Sequence, residues 1–145
     1  DFIVTTPDEI TATAEKISGT FNVFLALLAG ISLITGGIVV ANIMFISVNE
    51  RKKEIGLRKA LGANRGDILN QFLLEAAAVT LLGGIIGVLL GVLGAKIMNI
   101  VMETPVSVSW ASILTGVIFS TIIGIIAGIQ PARRAAGLQP VDALR

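Results

Sequence analysis

Asn49-Glu50-Arg51-Lys52-Lys53-Glu54-Ile55-Gly56-Leu57-Arg58-Lys59-Ala60-Leu61-Gly62-Ala63-Asn64-Arg65-Gly66-Asp67 forms a polar island in an otherwise apolar chain. Six of the eleven lysines and arginines fall inside it. Outside it lie three uncharged runs, at positions 17–49, 76–95 and 104–132. About 20 apolar residues suffice to cross the hydrocarbon core of a bilayer, and each run reaches that length. The runs therefore predict three membrane-spanning helices, with the island as the loop between the first and second. Composition agrees, since 14% of residues are charged against about 25% in soluble domains.

Topology follows from where the cations lie relative to the ends of the spans. The island and the tail together carry nine: Arg51, Lys52, Lys53, Arg58, Lys59, Arg65, Arg133, Arg134 and Arg145. The other side carries only Lys16 and Lys96. That asymmetry places the island and the C-terminus in the cytoplasm, and residues 1–20 and 98–111 outside. Net charge is +1, which offers no argument for nucleic acid, and none is expected as a partner. The sequence contains neither cysteine nor histidine. Thiolate chemistry, disulfides and imidazole-based catalysis or metal binding are thereby excluded.

The expected fold class is all-α integral membrane. Residues 1–20 read as the end of an extracytoplasmic domain followed by a stalk. The β-branched and aromatic Asp1–Thr5 resembles a last strand, and the chain starts without Met or a signal-peptide pattern, as expected of a piece of something longer. Thr6, Pro7 and Glu9 form a helix start with a capping box. From there the first helix meets no strong stop before about Asn49, so it is longer than a span requires. The first transmembrane helix covers 21–48, with Gly36-Gly37 as a candidate kink or close-packing point. The island covers 49–64. Residues 65–97 give an interfacial start, capped by Asn64, and the second span. A turn follows at 98–111, with Trp110 as an interfacial anchor. The third span is 112–130, ended by Pro131, and 131–145 is a cytoplasmic tail.

Two of the spans carry small residues at every fourth position: Gly83, Gly87 and Gly91 in the second, and Gly116, Ser120, Gly124 and Gly128 in the third. Such ridges let helix backbones approach closely in lipid. They are expected to pack within one bundle, the alternative being a ridge for another subunit's helix. Glu75 is the one acid that reaches toward the membrane. A structural ion pair, with Arg58 for example, is favoured over a proton relay, because no second membrane acid could pass a proton on. Within the island, Glu54 and Arg58 stand in the favourable i,i+4 order. Leu57, Ala60 and Leu61 share a face expected to lie against membrane or bundle. Ile55 points among Lys52 and Lys59, so either Gly56 breaks the helix or Ile55 is a knob for a cytoplasmic partner. The plainer alternative is an interfacial helix resting on anionic headgroups. No P-loop, triad, metal cluster or G-x-S-x-G motif is present, and no catalytic residue is assigned.

Residues 37–63, from Gly-Ile-Val-Val-Ala-Asn-Ile-Met through Glu-Ile-Gly-Leu-Arg-Lys-Ala-Leu-Gly-Ala, closely resemble the permease of macrolide-exporter-type ABC transporters, the MacB/FtsX-like superfamily. So do Gln71-Phe-Leu-Leu-Glu-Ala76 and the tail, Pro131-Ala-Arg-Arg-Ala-Ala-Gly-Leu-Gln-Pro-Val-Asp-Ala-Leu-Arg145. The resemblance implies the second to fourth helices of a four-helix permease, with a long stalk helix leading to a large extracytoplasmic domain. It implies that Glu50–Gly62 is a coupling helix docking on an ABC ATPase, with Glu50, Arg51, Glu54, Ile55, Gly56, Leu57, Arg58 and Leu61 as contacts. ATP and Mg would be held by that ATPase, fused or separate, with no cofactor on this chain. Further implied are a second permease copy in a homo- or heterodimer, a periplasmic adaptor, a bacterial or archaeal cytoplasmic membrane, and mechanotransmission of ATP-driven motion to the outer domain. The substrates expected are antibiotics, peptides or lipoproteins. The alternatives are a regulator of cell-wall hydrolases, a proton-coupled secondary carrier and a passive scaffold.

Overall fold

The computed structural model describes residues 6–102, 107–139 and 141. The expected strand at 1–5, Glu103–Val106 in the turn and most of 140–145 lie outside the described residues. Those described form four helices: α1 (Pro7–Glu50), α2 (Lys52–Ala60), α3 (Arg65–Met102) and α4 (Trp110–Gly137). α1, α3 and α4 are long and apolar enough to cross a membrane.

α1 is one helix of 44 residues, more than twice the roughly 20 that a bilayer requires. At its start Thr6 N–H donates to Glu9 Oε2 at 3.3 Å, the returning half of the expected capping box. The hydroxyls of Thr11, Thr13, Thr20, Ser32 and Thr35 donate to carbonyls three or four residues earlier. Such back-bonding satisfies a hydroxyl without any partner outside the helix, which hydrocarbon demands of Ser32 and Thr35 in the span. Up to Thr35 the helix has no buried residue. That stretch forms one compact unit, and residues from Gly36 onward form the other.

In the second unit α3 and α4 pack antiparallel along their lengths. Gly116 faces Val88, Ser120 meets Gly84, Gly124 lies against Thr80, and Gly128 against Ala76. A Cβ on Gly124 would overlap the Thr80 side chain, and one on Gly128 would stand 2.7 Å from the Ala76 Cβ. The α4 ridge thus packs within this chain. A Cβ added at Gly83, Gly87 or Gly91 would meet nothing within 4 Å, so the α3 ridge packs against no other described helix of this chain. The face of α3 that meets α4 is Ala76-Thr80-Gly84-Val88, turned by one residue, or about 100°. That face continues into the buried Ile68 and Phe72 and so is held by the core beneath it. From Gly36 on, α1 runs parallel to α4, with Gly37 against Ile123 and Ala127. Gly37 is therefore a close-packing point, and α1 continues through it without interruption.

The stop signal at Pro131 does not end the helix, since α4 runs on to Gly137. A proline inside a helix costs about 3 kcal/mol through its lost N–H bond and its ring clash. Here Pro131 is itself buried, and the next turns bury Ala132, Ala135 and Ala136. That burial offsets the cost and keeps the chain helical. Between α2 and α3, Gly62 adopts φ 103°. Its N–H donates to Lys59 O and the Ala63 N–H to Arg58 O, at 3.1 and 3.0 Å. This is a Schellman closure, which needs a residue free to be left-handed.

Gly124→Val should lower the stability of the detergent-solubilised chain by about 1–3 kcal/mol through overpacking. Gly87→Val should stay within about 0.5 kcal/mol of the parent, as for an open surface site. Denaturant titration followed by helix content measures both.

Candidate functional site

The island folds as a corner, a short helix and a tight return. Arg51 alone separates α1 from α2, with φ −95° and ψ 12°, and its N–H still donates to Ser47 O at 3.0 Å. α2 then runs unbroken through Gly56. The expectation that Gly56 breaks the helix is not met, and neither is the alternative that Ile55 points to a partner. Ile55 is 3% exposed. It enters a core made by Met44 and Val48 of α1, Ile68, Phe72 and Ala76 of α3, and Ala132, Ala135 and Ala136 of α4. An apolar side chain amid cations does leave water, as the physics requires, but it does so into its own chain. Gly56 beside it is also buried.

The opposite side of α2 is open. Leu57 is 54% and Leu61 82% exposed, with Lys53 and Ala60 beside Leu57 also exposed. Leu57, Ala60 and Leu61 thus do not lie against the bundle, because Ile55 and Gly56 occupy the face that the core accepts, and contact with the membrane is the part of the expectation that their exposure leaves standing. Of the eight candidate contacts, Glu50, Arg51, Glu54, Leu57, Arg58 and Leu61 are exposed, whereas Ile55 and Gly56 are anchors.

Polar bonds tie α2 and its corner to the other helices. Arg58 Nη2 contacts Glu54 Oε1 at 2.6 Å, and Arg58 Nη1 donates to Gln71 Oε1 of α3 at 2.7 Å. Glu75 pairs with Arg51 at 3.4 Å rather than with Arg58. Arg58 is already committed to Glu54 and Gln71, and Arg51 at the corner is the cation left within reach of Glu75. Both partners are partly exposed, at 46% and 34%, so the pair is worth at most about 1 kcal/mol. Lys59 Nζ donates to Leu138 O at 2.7 Å and to Ala136 O. It thereby serves the carbonyls at the C-terminal end of α4, which lack partners within the helix. Burial, and then the nearby Arg65 guanidinium, hold its ammonium below the usual lysine value. Arg134 of α4 stands 5.8 Å from the ring centroid of Phe45 of α1, a cation–π distance.

The expected residues thus divide between an inward face that locks α2 to three spans and an outward face of two leucines beside Lys53. Sequence reasoning misses the Lys59 and Arg134 ties, which join residues far apart along the chain and leave no local signal. It also passes over Gly62, although a glycine directly after a basic helical run is a recognisable stop signal.

Residues 26–140 match the family model described as FtsX-like permease C-terminal. YknZ of Bacillus subtilis, described as an uncharacterized ABC transporter permease, is 46% identical over 138 residues, covering 95% of this chain and 35% of that protein. The macrolide export ATP-binding/permease protein MacB of Neisseria gonorrhoeae is 46% identical over 145 residues, covering 99% of this chain and 22% of the relative. MacB of Mannheimia succiniciproducens is also 46% identical, with 23% of its length covered. The chain spans about a third or less of the length of these relatives.

Ile55→Asp should destabilise the chain by more than about 3 kcal/mol, because it places an unpaired charge in the core. Glu75→Gln should cost no more than about 1 kcal/mol, as for a surface ion pair. Comparative thermal unfolding in one detergent distinguishes the two.

Proposed function

The chain belongs to the FtsX-like permease family, and on that premise we propose that it is the transmembrane part of an ATP-driven ABC exporter or mechanotransmission complex. ATP and Mg are bound and hydrolysed on a partner or fused ATPase, which docks on the outward face of α2. The single observation carrying this reading is the division of α2 into two faces. Ile55 is sunk in a core shared by all four helices, while Leu57 and Leu61 stand exposed with Lys53 beside them. A helix built in this way offers a partner an apolar grip with a cationic rim. It also passes any displacement to the ends of three spans. Excess cations on the α2 side favour a cytoplasmic position for it, where ATP is available.

The names of the MacB relatives support export, and the 44 continuous residues of α1 support a lever that outruns the bilayer. Within this reading the complex is a dimer of permeases in a bacterial or archaeal cytoplasmic membrane. A periplasmic adaptor accompanies it where there is an outer membrane. Antibiotics, peptides and lipoproteins remain the substrate classes considered, and control of cell-wall hydrolases is the alternative output for the same stroke. A proton-coupled carrier is less well supported, because Glu75 is engaged with Arg51 at the corner.

Leu57→Asp/Leu61→Asp in the full-length permease should reduce co-purification of its ATPase about tenfold or more, as for central apolar contacts of an interface. The folded permease should still be recovered. Unchanged assembly and unchanged ATP turnover would overturn the docking assignment.

A further inference from the structure

Lys59 stands one turn after Ile55 on the inward side of α2, yet it does something different. Ile55 fills a core, whereas Lys59 spans from α2 to the far end of another helix. Its Nζ donates to Ala136 O in the last turn of α4 and to Leu138 O just beyond, the latter at 2.7 Å. Among the described residues these are the polar bonds that join α2 to α4. The ties from α2 and its corner to α3 are separate, through Arg58–Gln71 and Arg51–Glu75.

The receiving end of α4 is well suited to carry a displacement onward. It is seated in the core through Pro131, Ala132, Ala135 and Ala136. It also reaches α1 through Arg134 over Phe45. Higher up, the α4 ridge is interlocked with α3 at Thr80 and Gly84, and Ile123 rests on Gly37 of α1. Motion applied to the end of α4 therefore reaches both other spans by direct contact. The ammonium suits such a tie. It carries three donors and a charge attracted to the partly negative carbonyl end of a helix, and its stem is long enough to bridge two elements that share a core but, among the described residues, no other polar bond.

Resting on the docking reading above, we infer that Lys59 is a positioning residue for energy coupling: a strut that carries displacement of α2 to α4. A cap that merely tidies the end of α4 would hold Ala136 and Leu138 equally with or without nucleotide. A strut makes the response of α4 to nucleotide depend on Lys59.

The experiment uses the full-length permease with its ATPase in lipid nanodiscs. Backbone hydrogen–deuterium exchange is compared without nucleotide and after trapping with ATP and vanadate. In the parent protein, exchange should change on trapping both at residues 52–60 and along 110–137. Lys59→Met keeps the length of the stem and removes the donors. It should retain the nucleotide-dependent change at 52–60 and lose it along 110–137, with ATPase co-purification unchanged. Lys59→Arg, which can still donate to two carbonyls, should restore the α4 response. If Lys59→Met raises exchange near 132–137 but leaves the nucleotide-dependent difference across α4 intact, Lys59 is only a cap and the strut is overturned. Loss of ATPase binding in Lys59→Met would overturn it too, by placing Lys59 in docking. If the parent shows no nucleotide-dependent change at 52–60, the docking reading itself fails, and the strut fails with it.

Discussion

Burial of Ile55 beneath a shell of cations is the constraint on which the rest of the arrangement depends. Within lipid there is no hydrophobic drive between helices, because acyl chains are as apolar as leucine. A polar island cannot enter hydrocarbon, so the core beneath it forms at the one end of the bundle where water is at hand and the hydrophobic effect operates. Full burial of one isoleucine contributes about 1.5–3 kcal/mol. The same core takes Met44 and Val48, Ile68, Phe72 and Ala76, and Ala132, Ala135 and Ala136. Each long helix thus sends its end to the same place, and α2 closes it.

Above that core the adhesive changes. α3 and α4 are held by shape, with glycines of α4 admitting Thr80 and Ala76 to near-backbone contact. Hydroxyls in this region bond chiefly within their own helices, Thr80 Oγ1 to Ala76 O at 2.9 Å and Ser120 Oγ to Val117 O at 3.0 Å, while Ser120 Oγ also reaches Thr80 O of α3 at 3.5 Å. The water-facing end adds directional bonds through Arg58, Lys59, Arg51 and Arg134. The two regimes together make the second unit a framework with one attached handle. The unpacked α3 glycines form a separate surface that this chain leaves open.

Much of this is legible in the sequence. Three uncharged runs as long as a bilayer or longer, with a dense charge cluster between the first two, predict three spans and a polar connection, because solvation by lipid is a property of composition. The helix start at Thr6 and the Asn64–Asp67 pairing before α3 follow from local hydrogen-bonding chemistry. The Glu54–Arg58 pair does too, since its spacing is fixed by the helix itself. Expectation and structure part wherever the partner is remote. Ile55 looks like a knob for another protein because the α4 alanines that bury it, Ala132, Ala135 and Ala136, lie at the other end of the sequence. Gly83, Gly87 and Gly91 have the right spacing for a ridge, but spacing cannot say which of two adjacent ridges a neighbour uses. Pro131 carries a valid stop signal that burial of the following turn overrides.

By itself, then, the sequence determined what is decided by solvent and by short range: which segments are apolar enough to span, where the charge lies, where helices start, and which family the chain resembles. The tertiary structure alone decided which face of α2 is anchored and which is free. It also decided that Lys59 serves the end of α4 and that Arg51 serves Glu75. The physical reason is that local propensity and amphipathic period act within a few residues. The direction in which a side chain finds burial or a bonding partner depends on backbone surfaces brought together from the whole length of the chain.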